Sequence, residues 1–468
     1  MNPETLTTHQ KALQINVDAK RYGTFAEIGG GQEVARWFFR VGGAAGTVAK
    51  TISAYDMAVS DAIYGPAERY VSRQRLQAML DYEFNLLLER LNQQRGDRCT
   101  FFVFADTVAT HSFSRKEDGQ GWLGVRFQHA PHAAPSEIII HVRLFEPDNW
   151  RQQEALGMLG VNLIHGAFHH HADPEALVEA LMNELSAARV EINMIRFSGA
   201  CFGKVDNRLM SLFLVQKGYS QAAVFTADGE VAQPSEVLYK RPILVERGSF
   251  RPVTLATLEI LERAGDQMAA EPRLGGEPPV ALMEMTLRSL LAEPQMARRD
   301  FLARADMLSA LGKNVLISNF GPYHQLVHYL ARYTQKPTVI ALGIPSLQKL
   351  LEKESYAELE GGLLESLGRL FKNESRIYAY PWYDPQSGEV CTADTLTVAP
   401  RLQHLYRHLL ENHFIQPVRQ FTPEFLLISP AEVRARLQSG DPAWEGLVPP
   451  SVAEVIRREK LLGWKARS

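Results

Sequence analysis

From residue 190 to residue 413, short runs of apolar and β-branched residues alternate with amphipathic segments of helical length. Parallel strands need crossover connections of roughly a dozen residues or more, usually helices, and this alternation supplies them. The pattern predicts an α/β chain with a doubly wound or barrel-like, mostly parallel sheet. The predicted strands are Val190–Phe197, Ala222–Thr226, Pro242–Glu246, Val280–Leu287, Asn314–Asn319, Pro337–Gly343 and Arg376–Tyr380.

In the first part of the chain, the apolar residues recur at other spacings. Apolar residues from Leu76 to Leu91 recur at three- and four-residue spacing, which is typical of one packed helix. Three β-rich runs follow, and the charged turns between them favour an antiparallel meander: Phe101–Ala109, Trp122–Gln128 and Glu137–Phe145. We expect a Gly-rich N-terminal helical segment (1–100), a mixed or antiparallel α/β region (101–245) and a parallel α/β region (246–468).

Composition excludes several classes of protein. With 468 residues, 46% of them hydrophobic, the chain can bury a core without disulfide staples. The net charge of −3 gives no overall field that would recruit nucleic acid or an anionic membrane. Three scattered cysteines without a C-x-x-C pair indicate reduced thiols, and the opening residues M-N-P-E-T-L-T-T lack a signal-peptide pattern. We therefore expect a cytoplasmic protein with no membrane or nucleic-acid partner.

A first candidate ligand loop is Gly29-Gly30-Gly31, which lies between a short apolar run and a helical pattern. Glycines there would let backbone N–H groups approach a phosphate or cofactor at the helix N-terminus. The loop resembles that of S-adenosylmethionine methyltransferases more than the dinucleotide fingerprint, whose last glycine would fall on Val34. A flexible turn or an assembly loop explains the same residues.

The second candidate follows the predicted strand Pro242–Glu246, where the chain reads R-G-S-F-R-P-V-T before a helical pattern. This segment resembles the opening loop of the nucleotidylyltransferase superfamily, which includes the nicotinate-nucleotide adenylyltransferases. The resemblance implies phosphate binding by the loop amides, with ATP and Mg as the implied cofactor. The candidate binding residues are Arg247, Gly248, Ser249, Phe250, Arg251, Thr254 and Thr257.

The chain departs from that family at chemically important positions. Ala256 stands at the glycine position, Thr257 at the histidine position, and Arg251 replaces the usual Asp or Asn. A neutral threonine cannot stabilise the charge that develops on phosphates as an imidazole does. The family's later I-S-[ST]-x-x-[RK] motif has its nearest counterpart in 317–322, which lacks the basic residue. The motif is thus degenerate, and it leaves open whether the protein is an enzyme.

Over nearly its full length, the chain also resembles a bacterial family with Y-G-T-F-A-E-I-G-x-G-Q-E-V-A-R, V-D-N-R-L-M-S-L and R-G-S-F-R-P-V-T segments. These are Tyr22–Arg36, Val205–Leu212 and Arg247–Thr254 in this sequence. Members of that family are described either as nicotinate-nucleotide adenylyltransferases or as TonB-dependent receptors. The receptor description is untenable for this sequence, because an outer-membrane barrel needs a signal peptide and many ten-residue lipid-facing strands.

Two smaller signals remain. Asp206, Asn207 and Arg208 follow a predicted strand, where open α/β sheets bind ligands, but Asp206 equally suits a helix N-cap. Histidine pairs four residues apart lack the H-E-x-x-H pattern, so no metal is assigned to them: His165/His169, His324/His328 and His404/His408.

Two functions of different classes fit these signals. The first is a protein that binds a small phosphorylated ligand, such as a nucleotide, and that resembles a nucleotidylyltransferase with a degenerate catalytic motif. The alternative is a non-catalytic homo-oligomeric scaffold, for which the Gly-rich N-terminal region with its aromatic Trp37-Phe38-Phe39 would be the assembly surface. Self-association into a homo-oligomer is expected under both.

Overall fold

A computed structural model describes residues 6–110, 118–290 and 297–465 of the protein. The chain divides into two compact units, Met1–Gln221 and Ala222–Ser468. Both combine helices with mixed sheets, so the α/β class is confirmed. None of the helices in the described ranges is both long and apolar enough to cross a membrane.

Six strands form the sheet of the first unit: β1 (Arg21–Ile28), β2 (Val48–Ile52), β3 (Thr100–Ala109), β4 (Gly119–Phe127), β5 (Ser136–Leu144) and β6 (Val190–Gly199). Their order is β2-β1-β3-β4-β5-β6. β1 pairs in parallel with β2 and β3, whereas β3 to β6 form an antiparallel meander, as predicted for the three β-rich runs.

In the described ranges, the helices of the first unit are α1 (Thr8–Asn16), α2 (Glu33–Arg40), α3 (Met57–Tyr64), α4 (Arg73–Arg95), α5 (Asn149–His169), α6 (Pro174–Leu181) and α7 (Asn207–Gln216). Helices α1, α2, α5, α6 and α7 share one apolar cluster with one face of the sheet. Leu76 and Leu80 of α4 lie over Gly124, between residues that face that cluster. Helix α4 therefore covers the opposite face.

Eight strands form the main sheet of the second unit: β7 (Ala222–Phe225), β8 (Val231–Ala232), β9 (Ile243–Arg247), β10 (Val280–Thr286), β11 (Asn314–Ser318), β12 (Thr338–Gly343), β13 (Arg376–Tyr380) and β16 (Ile415–Pro417). A separate small hairpin joins β14 (Trp382–Tyr383) to β15 (Val390–Cys391). The order of the main sheet is β16-β13-β12-β9-β10-β11-β7-β8. The first six strands in this order are parallel, whereas β7 is antiparallel to β11 and β8 is antiparallel to β7.

The helices of the second unit are α8 (Pro234–Leu238), α9 (Leu255–Ala269), α10 (Leu287–Leu290), α11 (Ala297–Ala310), α12 (Tyr323–Leu330), α13 (Ile344–Leu350), α14 (Gly362–Leu370), α15 (Gln403–Glu411), α16 (Pro430–Ser439) and α17 (Pro450–Glu459). Ile243 and Val245 of β9 pack in one cluster with Leu326 of α12. Leu244, on the opposite face of β9, lies beside Gly265 of α9. Helices thus cover both faces, as a doubly wound sheet requires.

Three expectations need correction. The boundaries near 100 and 245 are replaced by one at 221/222, because β1 pairs with β3 in one sheet. The N-terminal segment is not purely helical, since it contributes β1 and β2. The predicted strand Val190–Phe197 is β6, which runs antiparallel to β5 in the first unit rather than in the parallel sheet.

Candidate functional site

The chain order of the parallel strands reverses once in the second unit. Numbered along the chain, the six strands from β11 to β16 lie in the order 3-2-1-4-5-6, with the reversal between β9 and β12. In open α/β sheets ligands bind outside the carboxyl ends of the strands at such a reversal. The candidate site of this unit is therefore the carboxyl edge of β9 and its neighbours.

A cleft of about 740 Å³ lies at this edge. Its walls combine Arg247 at the end of β9, Thr286 at the end of β10, the segment 319–325 after β11, and Ser346 after β12. Exposed Arg288 and Lys349 also line it, as do residues 354–359. The volume falls within the roughly 300–1,000 Å³ that small-molecule sites span.

Arg247 is fixed at the base of the cleft by an ion pair. Its Nε and Nη2 donate to the buried carboxylate of Glu284 over 2.7 and 2.9 Å, and Ser318 Oγ donates to the same carboxylate over 2.6 Å. Arg247 Nη1 donates to the carbonyl of Gly321 over 2.5 Å. This network ties the ends of β9, β10 and β11 together, because a buried bidentate pair holds both partners in one geometry.

The same guanidinium lies over the ring of Tyr323, 4.3 Å from its centroid. Burial raises the pKa of Tyr323 to about 12, against the opposing effect of Arg247, so the phenol is protonated at neutral pH. Arg247 was predicted to bind the ligand directly. In the structure its donors hold Glu284 and Gly321, so its main visible role is to position the base of the cleft.

The loop 248–254 connects β9 to α9 and does not line the cleft. A Cβ on Gly248 would lie 2.6 Å from the ring of Phe250, which is buried and has a φ of +49°. Gly248 is thus required by the packing of Phe250 whether or not a ligand binds. Ser249 is the exposed residue of this loop.

Thr254 caps the N-terminus of α9, and Thr257 lies in its first turn. Thr254 Oγ1 accepts the N–H of Thr257 over 3.2 Å, and the two hydroxyl oxygens lie 3.1 Å apart. Arg251 pairs with Asp300 of α11 over 3.1 Å, and Asp300 also bonds the buried Arg304. Arg251, Thr254 and Thr257, three of the side chains predicted to bind phosphate here, therefore have partners within the protein.

The first unit contains the other two predicted sets. Gly29–Gly31 join β1 to α2, and a Cβ on Gly29 would lie 1.9 Å from the carbonyl oxygen of Val108. Glu27, at the end of β1, accepts the N–H groups of Val34 and Ala35 over 3.0 and 2.9 Å. The start of α2 is thus occupied by a carboxylate of the chain itself.

Glu27 lies beside Asp106 of β3, which accepts the N–H of Ile28 over 3.1 Å. Burial raises the pKa of Glu27 to about 7, against the lowering effect of its two backbone hydrogen bonds. Burial and the neighbouring Glu27 also raise the pKa of Asp106. The two carboxyl groups form a buried pair that favours at least one bound proton near neutral pH.

Asp206, Asn207 and Arg208 lie at the opposite edge of that sheet from Gly29–Gly31, since β6 runs antiparallel to β1 through the intervening meander. Asp206 caps α7 and pairs with Arg208 over 2.8 Å. Asn207 exchanges two hydrogen bonds with the backbone of Phe197. The structure gives each of the three a structural partner and does not bring them together with the glycines.

The histidine pairs behave differently from one another. The His165 and His169 rings stack 4.4 Å apart, and His165 Nε2 bonds Gln14 over 2.8 Å. Across the described ranges, no group of three or more His, Cys, Asp or Glu side chains could hold a metal ion. His324, in contrast, lines the cleft of the second unit.

Sequence reasoning did not identify His324, Arg288 or Lys349 as site residues. His324 had a usable signal, because it follows the predicted strand Asn314–Asn319 across Phe320-Gly321-Pro322. Arg288 and Lys349 are single cations in short helices and had no such signal.

Comparisons with known proteins add the following. No family model and no curated protein matches the chain. The chain is similar to the solved structure of a competence/damage-inducible protein from Agrobacterium tumefaciens (15% identity, 35% of this chain, 97% of that chain, TM-score 0.26). It is likewise similar to a CinA-superfamily protein from Klebsiella pneumoniae (14%, 35%, 99%, 0.27). A third structure is a Plasmodium falciparum nicotinic acid mononucleotide adenylyltransferase (13%, 48%, 98%, 0.29).

Proposed function

We propose that the second unit binds a nucleotide or another small phosphorylated metabolite in the cleft at the carboxyl edge of its parallel sheet. The observation that carries this proposal is the single reversal of strand order, with cleft walls supplied from both sides of it. The ends of β9, β10 and β11 give one side, and Ser346 and Lys349 after β12 give the other. This is where doubly wound sheets bind phosphorylated ligands.

The cations that line the cleft fit the anionic end of a ligand, and the exposed Glu354 and Glu358 line another part of it. The carboxylate at its base, Glu284, is neutralised by Arg247, whereas Arg288 and Lys349 are exposed along the walls. The proposal concerns binding. It does not include transfer of a nucleotidyl group, because Thr257 stands at the position of the family's catalytic histidine. Release of pyrophosphate from ATP would be the evidence for such a transfer.

Calorimetric titration of the full chain with ATP, AMP, nicotinamide mononucleotide and nicotinate mononucleotide, with and without Mg, tests the proposal. We expect one of them to bind, and the double variant Arg288→Gln/Lys349→Gln to weaken it about 3- to 10-fold, since exposed cations contribute modestly. Lys353→Gln is the matched control, because Lys353 is an exposed cation nearby that does not line the cleft.

Failure of all four ligands to bind, with light scattering showing a large defined particle, would favour the homo-oligomeric scaffold instead. For that alternative, the exposure of the aromatic side chains on α2 matters. Phe38 is fully buried against Phe25, with ring centroids 4.9 Å apart, whereas Phe39 is 52% exposed. Phe39, not Phe38, is the aromatic side chain of α2 that an assembly contact could use.

A further inference from the structure

Helix α12 begins directly at the cleft. It follows β11 through 319–322, and the whole segment 319–325 lines the cleft. Its N-cap residue is Pro322, and no side chain caps the helix. The first N–H groups of a helix have no partner within it, and they carry a partial positive charge that favours anions.

His324 supplies a second, independent observation at the same place. The residue is 5% exposed and lines the cleft, and its Nδ1 has no hydrogen-bond partner among the described residues. An unpaired buried polar atom is energetically costly, so such an atom usually has a ligand or water as its partner. Burial lowers the pKa of His324, helped by Arg369, so the ring is neutral and Nδ1 can carry a proton.

Another segment of the cleft lining has the opposite character. Residues 354–359 include the exposed Glu354 and Glu358 and the half-buried Tyr356. Carboxylates there would repel a phosphate but would accept hydrogen bonds from hydroxyl or amino groups. The cleft is thus suited to a ligand with an anion at one end and hydroxyl or amino groups at the other.

We propose that the phosphate group of a nucleoside monophosphate binds at the start of α12, where the backbone N–H groups of Tyr323 and His324 and the His324 imidazole contact its oxygens. This inference rests on the proposed function and deepens it by placing the phosphate. It differs from the placement that the nucleotidylyltransferase resemblance implies, at 248–254. That loop is outside the cleft, and Thr254 already caps α9.

The test compares AMP, adenosine and inorganic phosphate in calorimetric titrations of the full chain. His324→Phe removes Nδ1 while keeping a planar ring, and we expect it to weaken AMP binding at least 10-fold with little effect on adenosine. His328→Phe is the control, because His328 is one turn further along α12, exposed and outside the cleft. Ser249→Ala probes the alternative loop, and we expect it to leave the affinity for AMP unchanged.

Gly321→Leu keeps the inference testable if His324→Phe does not fold. A Cβ on Gly321 would meet no atom within 4 Å, so the variant should fold and should obstruct the start of α12. Loss of AMP binding in Gly321→Leu supports the inference. AMP binding that withstands both variants, or that Ser249→Ala weakens instead, overturns it while the proposed function stands. Inorganic phosphate that binds through His324 while AMP does not bind would support the phosphate position at α12 and overturn the nucleoside monophosphate as its source. Binding of none of the probes overturns both proposals.

Discussion

Two helices of this protein start after a strand and a glycine-containing loop. They differ in whether a side chain of the protein accepts hydrogen bonds from the N–H groups of the first turn. In the first unit, Glu27 reaches from the end of β1 to the N–H groups of Val34 and Ala35 in α2. In the second unit, α12 starts behind Pro322 with no side-chain cap and faces the cleft. The first helix start is filled by the chain's own carboxylate, whereas the second is open to an external anion.

The difference shows that glycines before a helix are insufficient evidence of an anion site. Gly29 to Gly31 match the expected pattern, yet Gly29 is there because the backbone passes close to Val108. A helix start can bind an external anion only where no residue of the chain already accepts hydrogen bonds from its first N–H groups.

The largest effect that would test the structural role of the first loop is expected for Gly29→Ala. A Cβ there would overlap the Val108 carbonyl at 1.9 Å, in a backbone with φ of +91°. We therefore expect the free energy of unfolding of the first unit to fall by about 3 kcal/mol or more. Gly42→Ala has a similar φ of +82° and no atom within 4 Å, so it should lose only about 1–2 kcal/mol. Hydrogen exchange of β1 amides measures both, and equal losses would contradict the packing explanation.

A smaller loss, about 1–3 kcal/mol, is expected for Gly248→Ala, because its Cβ would press on the Phe250 ring at 2.6 Å. Combining it with Phe250→Leu should recover part of that loss, which a double-mutant cycle in urea unfolding of the second unit would measure. If the effects of the two substitutions are simply additive, the packing of Phe250 does not explain the glycine at 248. Binding of a ligand by the loop would then be the better explanation.

The last prediction concerns the protons of Glu27 and Asp106, and its test lies in the sign of a pH dependence. Since burial raises both carboxyl pKa values in the folded state, the native form binds more protons than the unfolded form. The stability of the first unit should therefore fall as the pH rises from about 4.5 to 7, by roughly 3 kcal/mol for Glu27 alone, since one unit of pKa shift is worth about 1.4 kcal/mol. Asp106→Asn keeps an acceptor for Ile28 and removes one charge, so it should flatten this dependence.

Hydrogen exchange of the β1 and β3 amides at several pH values provides the measurement. A wild-type stability that rises over this pH range would show that the hydrogen bonds to Glu27 outweigh its burial. The start of α2 would then hold a stable carboxylate anion, and the contrast with α12 would sharpen.

The sequence predicted those parts of the fold that local patterns determine. The strand and helix around 248–254 were placed within a few residues, and the meander runs correspond to β3, β4 and β5. The strand β1 was missed because its residues, R-Y-G-T-F-A-E-I, mix charge and glycine without a β period. Its conformation is set by pairing on both sides, with β2 and β3, which no local pattern encodes.

The candidate site was less predictable for the same reason. The cleft joins residues from four strand ends that are far apart in sequence, so their convergence depends on the strand order of the sheet. Arg247 was found from its motif, but its partner Glu284 lies 37 residues further on. Thr254 and Thr257 match a phosphate-loop pattern and a helix-capping pattern equally well, and the structure displays the capping one.

The ion pair between Arg247 and Glu284 also bears on how fast a ligand could come and go. A neutralised, buried pair projects little field into solvent, so it cannot attract an anion from a distance. That task falls to Arg288 and Lys349, which are exposed, and the exposed Glu354 and Glu358 of the same cleft oppose it. Association rates should therefore decrease as ionic strength rises, within the roughly 10 Å screening length of 0.1 M salt. Dissociation, which depends on contacts at the rigid base of the cleft, should respond far less to salt.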